Sequence, residues 1–100
     1  MTARPPLHPD TLLVHAGTLR SSFAETSEAL FLTQGHVYAS AEECEARFAG
    51  TSGGFIYARF SNPTVQMFEQ RLAALEGAQA ARATASGMAA VTAALMGLVR

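Results

Sequence analysis

Residues 88–99, MAAVTAALMGLV, constrain the fold of this chain most, because they are apolar apart from Thr92 and Gly97. A helix that is apolar on nearly every side must be covered on most sides, as when it packs on a parallel sheet. The run directly follows a turn of small residues, Ser86 and Gly87. Small residues here have two explanations. They can simply allow a tight turn, or they can leave the helix N-terminus accessible so that its free N–H groups bind an anion.

The composition also indicates a covered surface. Charged residues make up 15% of the 100 residues and apolar residues 49%, whereas soluble proteins carry about 25% charged residues. We therefore expect further polypeptide or a partner subunit to cover much of the chain. The seven basic residues are all arginine and the net charge is −1, which favours neither nucleic acid nor an anionic membrane as a partner.

The sequence predicts a soluble, cytoplasmic chain. Three prolines, Pro5, Pro6 and Pro9, interrupt the N-terminal stretch where a secretory signal needs an unbroken apolar run. The apolar run 88–99 is shorter than the roughly 20 residues of helix that cross a bilayer. The single cysteine, Cys44, excludes an internal disulfide and is consistent with a reducing compartment.

Proline and glycine divide the first half of the chain. Residues 1–10 are predicted to be an extended or disordered arm, because proline cannot join a regular hydrogen-bond ladder. Residues 11–17, TLLVHAG, predict one or two helical turns that stop at glycine. Residues 29–40, ALFLTQGHVYAS, fit a strand or a packed extended chain, and the pattern does not decide between them.

A short helix is predicted between Ser40 and Gly50. Ser40 and Glu43 have the spacing of a capping box, and Gly50 is a natural left-handed stop. Cys44 and Arg47 fall on one side of this helix, where we expect the cysteine to pack rather than to act as a nucleophile.

The strongest helix signal covers residues 61–77, SNPTVQMFEQRLAALEG. Asn62 is a suitable N-cap, Pro63 suits the first helical position and Gly77 suits the exit. Four apolar residues recur on one face of this helix: Val65, Phe68, Leu72 and Leu75. Phe68 and Leu72 are predicted to lie in the core.

The last quarter of the chain predicts the opening of an α/β sheet. Residues 78–85, AQAARATA, are long enough for a short strand between two helices. A strand, a glycine turn and a buried helix would then follow the helix at 61–77. A turn of this kind points unpaired N–H groups at whatever lies above it, and phosphate is the natural occupant.

A second group of donors precedes the long helix, in YARFSNPT. Tyr57 and Arg59 lie two residues apart, and on an extended segment their side chains would point the same way. A phenol and a guanidinium are good hydrogen-bond donors to phosphate.

Three segments resemble the pyridoxal-phosphate enzymes of cysteine and methionine metabolism: YARFSNPT, LAALEGAQAARATASGMAA and the early VHAG. The resemblance implies an α/β fold of type I, similar to aspartate aminotransferase, whose sheet is incomplete in these residues. Residues 1–60 would form an N-terminal arm and inter-subunit segment. Residues 61–100 would begin the domain that binds pyridoxal 5'-phosphate (PLP).

The same resemblance implies roles for five residues. Tyr57 and Arg59 would reach the cofactor phosphate of a neighbouring subunit, whereas the turn Ser86, Gly87 and Met88 would bind the phosphate of its own subunit through backbone N–H groups. It also implies a homotetramer, built from dimers that share their active sites, and a small amino-acid substrate.

Within the family, the segments EALFLTQGHVYASAEECEARFAG and NPTVQMFEQRLAALEGA most resemble O-succinylhomoserine sulfhydrylases. This implies γ-replacement with sulfide in methionine biosynthesis. Other members remain alternatives: cystathionine γ-synthase, O-acetylhomoserine sulfhydrylase and methionine γ-lyase.

The chain departs from the family because it has no lysine to bind the cofactor aldehyde, and its single aspartate, Asp10, lies in the arm. We therefore expect an N-terminal part of the enzyme, without catalytic residues and inactive alone. The alternative is a non-catalytic fragment or interaction module.

The remaining candidate side chains have structural explanations. The three histidines, His8, His15 and His36, do not have the spacing of metal ligands. Tyr38 is predicted to pack in the core rather than to line a substrate entrance.

Overall fold

The computed structural model describes residues 5–99, which form four α-helices and no named β-strand. The helices are α1 Pro9–His15, α2 Ala41–Phe48, α3 Pro63–Glu76 and α4 Gly87–Leu98. An isolated antiparallel bridge joins Gly35 to Tyr57. None of the helices in this part of the chain is long and apolar enough to cross a membrane.

The predicted helix at 61–77 is confirmed as α3. The Asn62 side chain accepts the Thr64 N–H at 2.9 Å, and Gly77 ends the helix in the left-handed conformation with φ of 64°. The amide nitrogen of Asn62 also donates to the carbonyls of Phe31 and Thr33, at 3.0 and 3.3 Å. The cap therefore fixes an extended segment across the start of the helix as well as the helix itself.

The predicted helix at 40–50 is confirmed as α2. The Ser40 hydroxyl accepts the Glu43 N–H at 3.1 Å, and the Glu43 carboxylate accepts the N–H of Ala39 at 2.8 Å. The reciprocal bond thus reaches one residue further back than in a standard capping box. Gly50 follows the helix with φ of 75°.

Helix α1 begins earlier than the predicted arm allowed. The helix takes in Pro9 and Asp10, and the predicted turns at 11–17 are confirmed within it. Proline suits the first helical turn because the N–H that it lacks would have no helical partner there. Residues 1–4 of the predicted arm lie outside the described residues.

The prediction of a strand over 78–85 is wrong for the described part of the chain, where these residues are irregular. A strand requires a neighbouring strand to pair its N–H and C=O groups, and residues 5–99 contain no such neighbour. The Ala83 N–H donates instead to the Glu69 carboxylate at 2.8 Å. The alternatives for 29–40 resolve as extended chain, with its single bridge at Gly35.

The predicted core of α3 is also wrong. Phe68 is 58% exposed and Leu72 40%, whereas Met67 is buried to 2% exposure. The reason is that the chain after α1 packs near Met67, with Gly17 close to the Met67 carbonyl. The face that carries Phe68 and Leu72 has no comparable cover in residues 5–99.

Much apolar surface remains uncovered, above all on α4. Its residues are exposed, including Leu95 at 57% and Met96 at 75%, although the sequence predicted a helix buried on most sides. The chain has an accessible surface of 8215 Å², compared with about 5400 Å² for a compact monomer of its mass. Residues 5–99 therefore do not supply the cover that the sequence predicted for α4.

Gly17 is required by a close approach between the end of α1 and α3. Its φ is 73°, and an added Cβ would lie 2.9 Å from Gln70 Cβ and 3.0 Å from the Met67 carbonyl. We expect Gly17→Ala to lower the free energy of unfolding by about 2–3 kcal/mol, from left-handed strain plus overlap. Urea denaturation measures this loss.

Gly50 is the matched control for this substitution. Its φ is 75°, nearly the same, but an added Cβ would meet nothing within 4 Å. Gly50→Ala is therefore expected to cost only the left-handed strain, about 1 kcal/mol. Equal losses at Gly17 and Gly50 would contradict the importance of the close approach.

Candidate functional site

The turn predicted to bind an anion is the N-terminus of α4. Ser86 is extended, with φ of −154° and ψ of 161°, and its hydroxyl accepts the Ala89 N–H at 3.1 Å. Its carbonyl accepts a hydrogen bond from the Thr84 hydroxyl at 2.7 Å. The Ser86 side chain is thus used as the helix cap, and it orients the N–H groups that follow.

Two N–H groups at this turn are free to bind a ligand. Those of Gly87 and Met88 donate to no acceptor within residues 5–99. The space beside them is open, because a Cβ added to Gly87 would meet nothing within 4 Å. These donors and the positive end of the α4 dipole are suited to an anion such as phosphate.

Tyr57 and Arg59 lie together, although not on the extended segment that the sequence predicted. The chain turns here, and the N–H groups of Phe60 and Ser61 both donate to the Tyr57 carbonyl, at 3.0 and 3.1 Å. The Arg59 guanidinium lies over the Tyr57 ring, 5.4 Å from its centroid. A cation–π contact thus pairs the two side chains in place of strand alternation.

The structure does not bring the two predicted groups into contact. Within residues 5–99, no hydrogen bond or ring contact joins Tyr57 or Arg59 to the turn at 86–88. Arg59 instead lines a cavity of about 590 Å³ between α3 and residues 79–83, which does not include the turn. The inter-subunit role of Tyr57 and Arg59 stays a prediction.

Two side chains restrain the segment before Tyr57: Arg47, which was missed as a functional candidate, and Tyr38, which was predicted to pack in the core rather than to line a substrate entrance. Arg47 Nη1 donates to the Phe55 carbonyl at 3.1 Å, and the Tyr38 hydroxyl donates to the Ile56 carbonyl at 3.3 Å. Tyr38 is half-buried, in line with its predicted packing, but its hydroxyl also fixes backbone. The i,i+4 spacing of Glu43 and Arg47 could have indicated their ion pair, but no sequence signal indicates the bonds to the carbonyls of Phe55 and Ile56.

Glu43 holds Arg47 in place. Its carboxylate forms an ion pair with the Arg47 guanidinium. The Ala39 N–H and then the Arg47 guanidinium lower the pKa of Glu43 from its ordinary value of 4.5. Glu43 is therefore ionised at neutral pH and keeps Arg47 paired.

Glu69 was likewise missed, and it ties the segment before the turn to α3. Its carboxylate accepts the Ala83 N–H at 2.8 Å and lies 3.9 Å from the Arg82 guanidinium. The carboxylate of Glu69 is largely buried, whereas the Arg82 side chain is 86% exposed. The hydrogen bond to Ala83 is thus the main restraint, three residues before Ser86.

Comparison with known protein families shows the family of this chain. The profile of the Cys/Met metabolism PLP-dependent enzymes matches residues 10–100. The chain belongs to this family. The resemblance inferred from the sequence is thereby confirmed, and family members use PLP, an anion of the kind that the N-terminus of α4 is suited to bind.

Several members of the Cys/Met metabolism family are close in sequence. An O-succinylhomoserine sulfhydrylase from Mycobacterium tuberculosis is 57% identical over 81 residues, which cover 81% of this chain and 20% of the relative. The corresponding protein from Pseudomonas aeruginosa is 53% identical over 89 residues, or 89% and 22%. The chain thus spans about a fifth of the length of these relatives.

A solved structure has a similar fold over these residues. The crystal structure is named as an O-acetylhomoserine (thiol)-lyase from Campylobacter jejuni, and it matches with a TM-score of 0.84 at 32% identity. The match covers 90% of this chain and 22% of the other, which carries a pyridoxyl-lysine monophosphate at its position 205. The described residues therefore have the fold of part of a type I PLP enzyme.

Proposed function

We propose that this chain is the N-terminal part of a PLP-dependent enzyme that converts O-succinylhomoserine and sulfide to homocysteine and succinate. In this γ-replacement, a bond forms between sulfur and Cγ of the substrate, and the bond from Cγ to the succinate oxygen breaks. The identity of 57% and 53% to two O-succinylhomoserine sulfhydrylases carries the proposal. A methionine γ-lyase and a homocysteine/cysteine synthase match at 40% and 42%.

In the proposed site, the N-terminus of α4 holds the cofactor phosphate. The N–H groups of Gly87 and Met88 would donate to this phosphate, and the Ser86 cap keeps these two groups oriented. When bound there, PLP would supply an electron sink that makes the α and β protons of the substrate acidic. The contribution of the turn is to anchor the cofactor so that its reactive end is placed reproducibly.

Tyr57 and Arg59 complete the phosphate site of a neighbouring copy in this proposal. Arg59 is exposed and forms no ion pair with a carboxylate within the described residues. Its guanidinium can therefore donate to a phosphate while it stacks on Tyr57. The apolar surface that residues 5–99 leave uncovered supports a homo-oligomer, for which we propose a dimer of dimers with shared sites in the cytoplasm.

The lysine that binds the cofactor would lie in polypeptide that follows Arg100, since the chain has no lysine. The neighbouring structure, with its pyridoxyl-lysine at position 205, supports this placement. We expect residues 1–100 alone to produce no visible absorbance band with PLP beyond the absorption of free PLP itself. An extended polypeptide that carries these residues and continues to the length of the relatives should produce one. Such an additional band with residues 1–100 alone would contradict the proposal.

The substrate is tested with the same extended polypeptide. We expect sulfide-dependent release of homocysteine and succinate from O-succinylhomoserine, measured by mass spectrometry. With O-acetylhomoserine in its place, we expect kcat/KM to be lower by about tenfold or more, because an unfilled succinate carboxylate site loses a charge-assisted contact. Preference for the acetyl ester would favour an O-acetylhomoserine sulfhydrylase, and formation of methanethiol from methionine a methionine γ-lyase.

A further inference from the structure

The segment that leads into Tyr57 and Arg59 is held by hydrogen bonds from other parts of the chain. Three such bonds reach it: Arg47 Nη1 to the Phe55 carbonyl at 3.1 Å, the Tyr38 hydroxyl to the Ile56 carbonyl at 3.3 Å, and the Ala58 N–H to the Gln34 carbonyl at 2.8 Å. They act on residues 55, 56 and 58, immediately around Tyr57. The backbone around Tyr57 is therefore held by hydrogen bonds both before and after this residue.

Arg47 is the central member of this arrangement. Its side chain is only 18% exposed and forms an ion pair with Glu43. Its guanidinium lies 5.1 Å from the centroid of the Tyr38 ring. A Cβ added to Gly54, whose φ is 129°, would lie 2.8 Å from Arg47 Cζ. The guanidinium thus packs against both the ring of Tyr38 and the backbone of Gly54.

We infer that Arg47 is a positioning residue for the phosphate-binding pair Tyr57 and Arg59, an inference that rests on the proposed function. The guanidinium is a planar fork that donates to Glu43 and to the Phe55 carbonyl at once while it stacks on a ring. The Phe55 carbonyl lies two residues before Tyr57, so Arg47 restrains the backbone that leads into the turn at Tyr57.

Arg47 acts through the backbone rather than by contact with the phosphate. Two of its nitrogens are already bound, to the Phe55 carbonyl and to the Glu43 carboxylate. The half-buried side chain is therefore directed into the fold, whereas Arg59 is exposed. If Arg47 only orients Tyr57 and Arg59, its substitution should change the affinity for PLP through these two residues.

The test compares Arg47→Met with Arg71→Met in the extended polypeptide. Arg71 is a matched control, because it also pairs with a glutamate, Glu28, and its side chain is 22% exposed. It also donates to a backbone carbonyl, that of Ala16 at 2.8 Å. Both substitutions remove an ion pair and a bond to a carbonyl, but only Arg47→Met releases the Tyr57 segment.

The first measurement is hydrogen exchange of the Ala58 amide without cofactor. We expect Arg47→Met to accelerate this exchange by about tenfold, and Arg71→Met by less than about twofold, because exchange reports local opening. The second measurement is the Kd for PLP, which should rise about fivefold in Arg47→Met and stay within about twofold in Arg71→Met.

A double variant shows whether Arg47 acts through Arg59. Arg59→Met alone should raise the Kd for PLP by about tenfold or more. Adding Arg47→Met to Arg59→Met should then raise it by less than about twofold, since a residue that acts through Arg59 loses its effect without it. Should Arg47→Met fail to fold, Arg47→Lys provides the comparison, with intermediate effects on both measurements.

The outcomes separate the inference from the proposed function. Unchanged Ala58 exchange in Arg47→Met, or equal Kd effects in Arg47→Met and Arg71→Met, overturns the inference and leaves the proposed function intact. Additive effects of Arg47→Met and Arg59→Met overturn it in the same way. An unchanged Kd in Arg59→Met overturns the proposed role of Arg59 and, with it, the inference.

Discussion

Gly87→Pro is expected to raise the Kd of the extended polypeptide for PLP by roughly 10- to 150-fold, the equivalent of one charge-assisted hydrogen bond. Proline removes the Gly87 N–H, one of the two free donors at the start of α4. The helix should be preserved, because Gly87 is its first residue, where proline is favoured. Ser86 also has the extended conformation, with ψ of 161°, that a residue before proline prefers.

Gly87→Ala shows whether PLP binding depends on the N–H group of residue 87 or on the space left by the missing side chain. Alanine keeps the N–H, and its Cβ would meet no atom within 4 Å. We expect its Kd for PLP to stay within about threefold of the wild type. Equal losses with alanine and proline would show that the turn needs room rather than a donor. Unchanged affinity with proline would remove Gly87 from the phosphate site. Fluorescence titration with PLP measures both variants.

Asn62→Asp is expected to lower the free energy of unfolding by about 3 kcal/mol or more at neutral pH, because one oxygen of the buried carboxylate would have no donor. Asn62 is only 7% exposed, and its amide nitrogen donates to the carbonyls of Phe31 and Thr33. An aspartate oxygen in that place would face two carbonyl oxygens. Urea denaturation of the extended polypeptide measures the change.

The prediction is made specific by the relative stability of two variants at position 62 and of the same two substitutions at position 40. Asn62→Ala should cost about 2 kcal/mol, less than Asn62→Asp, although aspartate is by far the better N-cap on exposed helices. At the exposed cap Ser40, the usual order should hold, with Ser40→Asp more stable than Ser40→Ala. The same order at both caps would mean that the two carbonyl contacts of Asn62 contribute little.

The pH dependence follows from the same contact. Facing carbonyl oxygens would raise the folded-state pKa of the new carboxyl at position 62 above its unfolded value. The loss of stability should therefore be complete at pH values above the raised pKa. It should become smaller as the pH falls from the raised pKa towards the unfolded value of about 4, because over this range the folded state binds the proton first and the protonated carboxyl can donate to one carbonyl. A loss that does not change between pH 7 and pH 3 would contradict this explanation.

Helices α2 and α3 and the family membership were predictable from the sequence alone. The bounds of α2 and α3 follow from Ser40 and Asn62, whose side chains bind N–H groups two or three residues away. The glycine at 77 ends its helix by its own conformational freedom. Interactions of this range are encoded by spacing, and the segments that carry the family resemblance are equally contiguous.

Only the tertiary structure shows which side chains are buried and which segments contact one another. Met67 rather than Phe68 is buried, because the chain that follows α1 approaches one side of α3. Residues 78–85 are not a strand, since a strand depends on a neighbour that residues 5–99 do not supply. The contact of Arg47 with the Phe55 carbonyl joins residues on different elements. Spacing along the chain specifies none of these, because burial and pairing depend on the surface opposite.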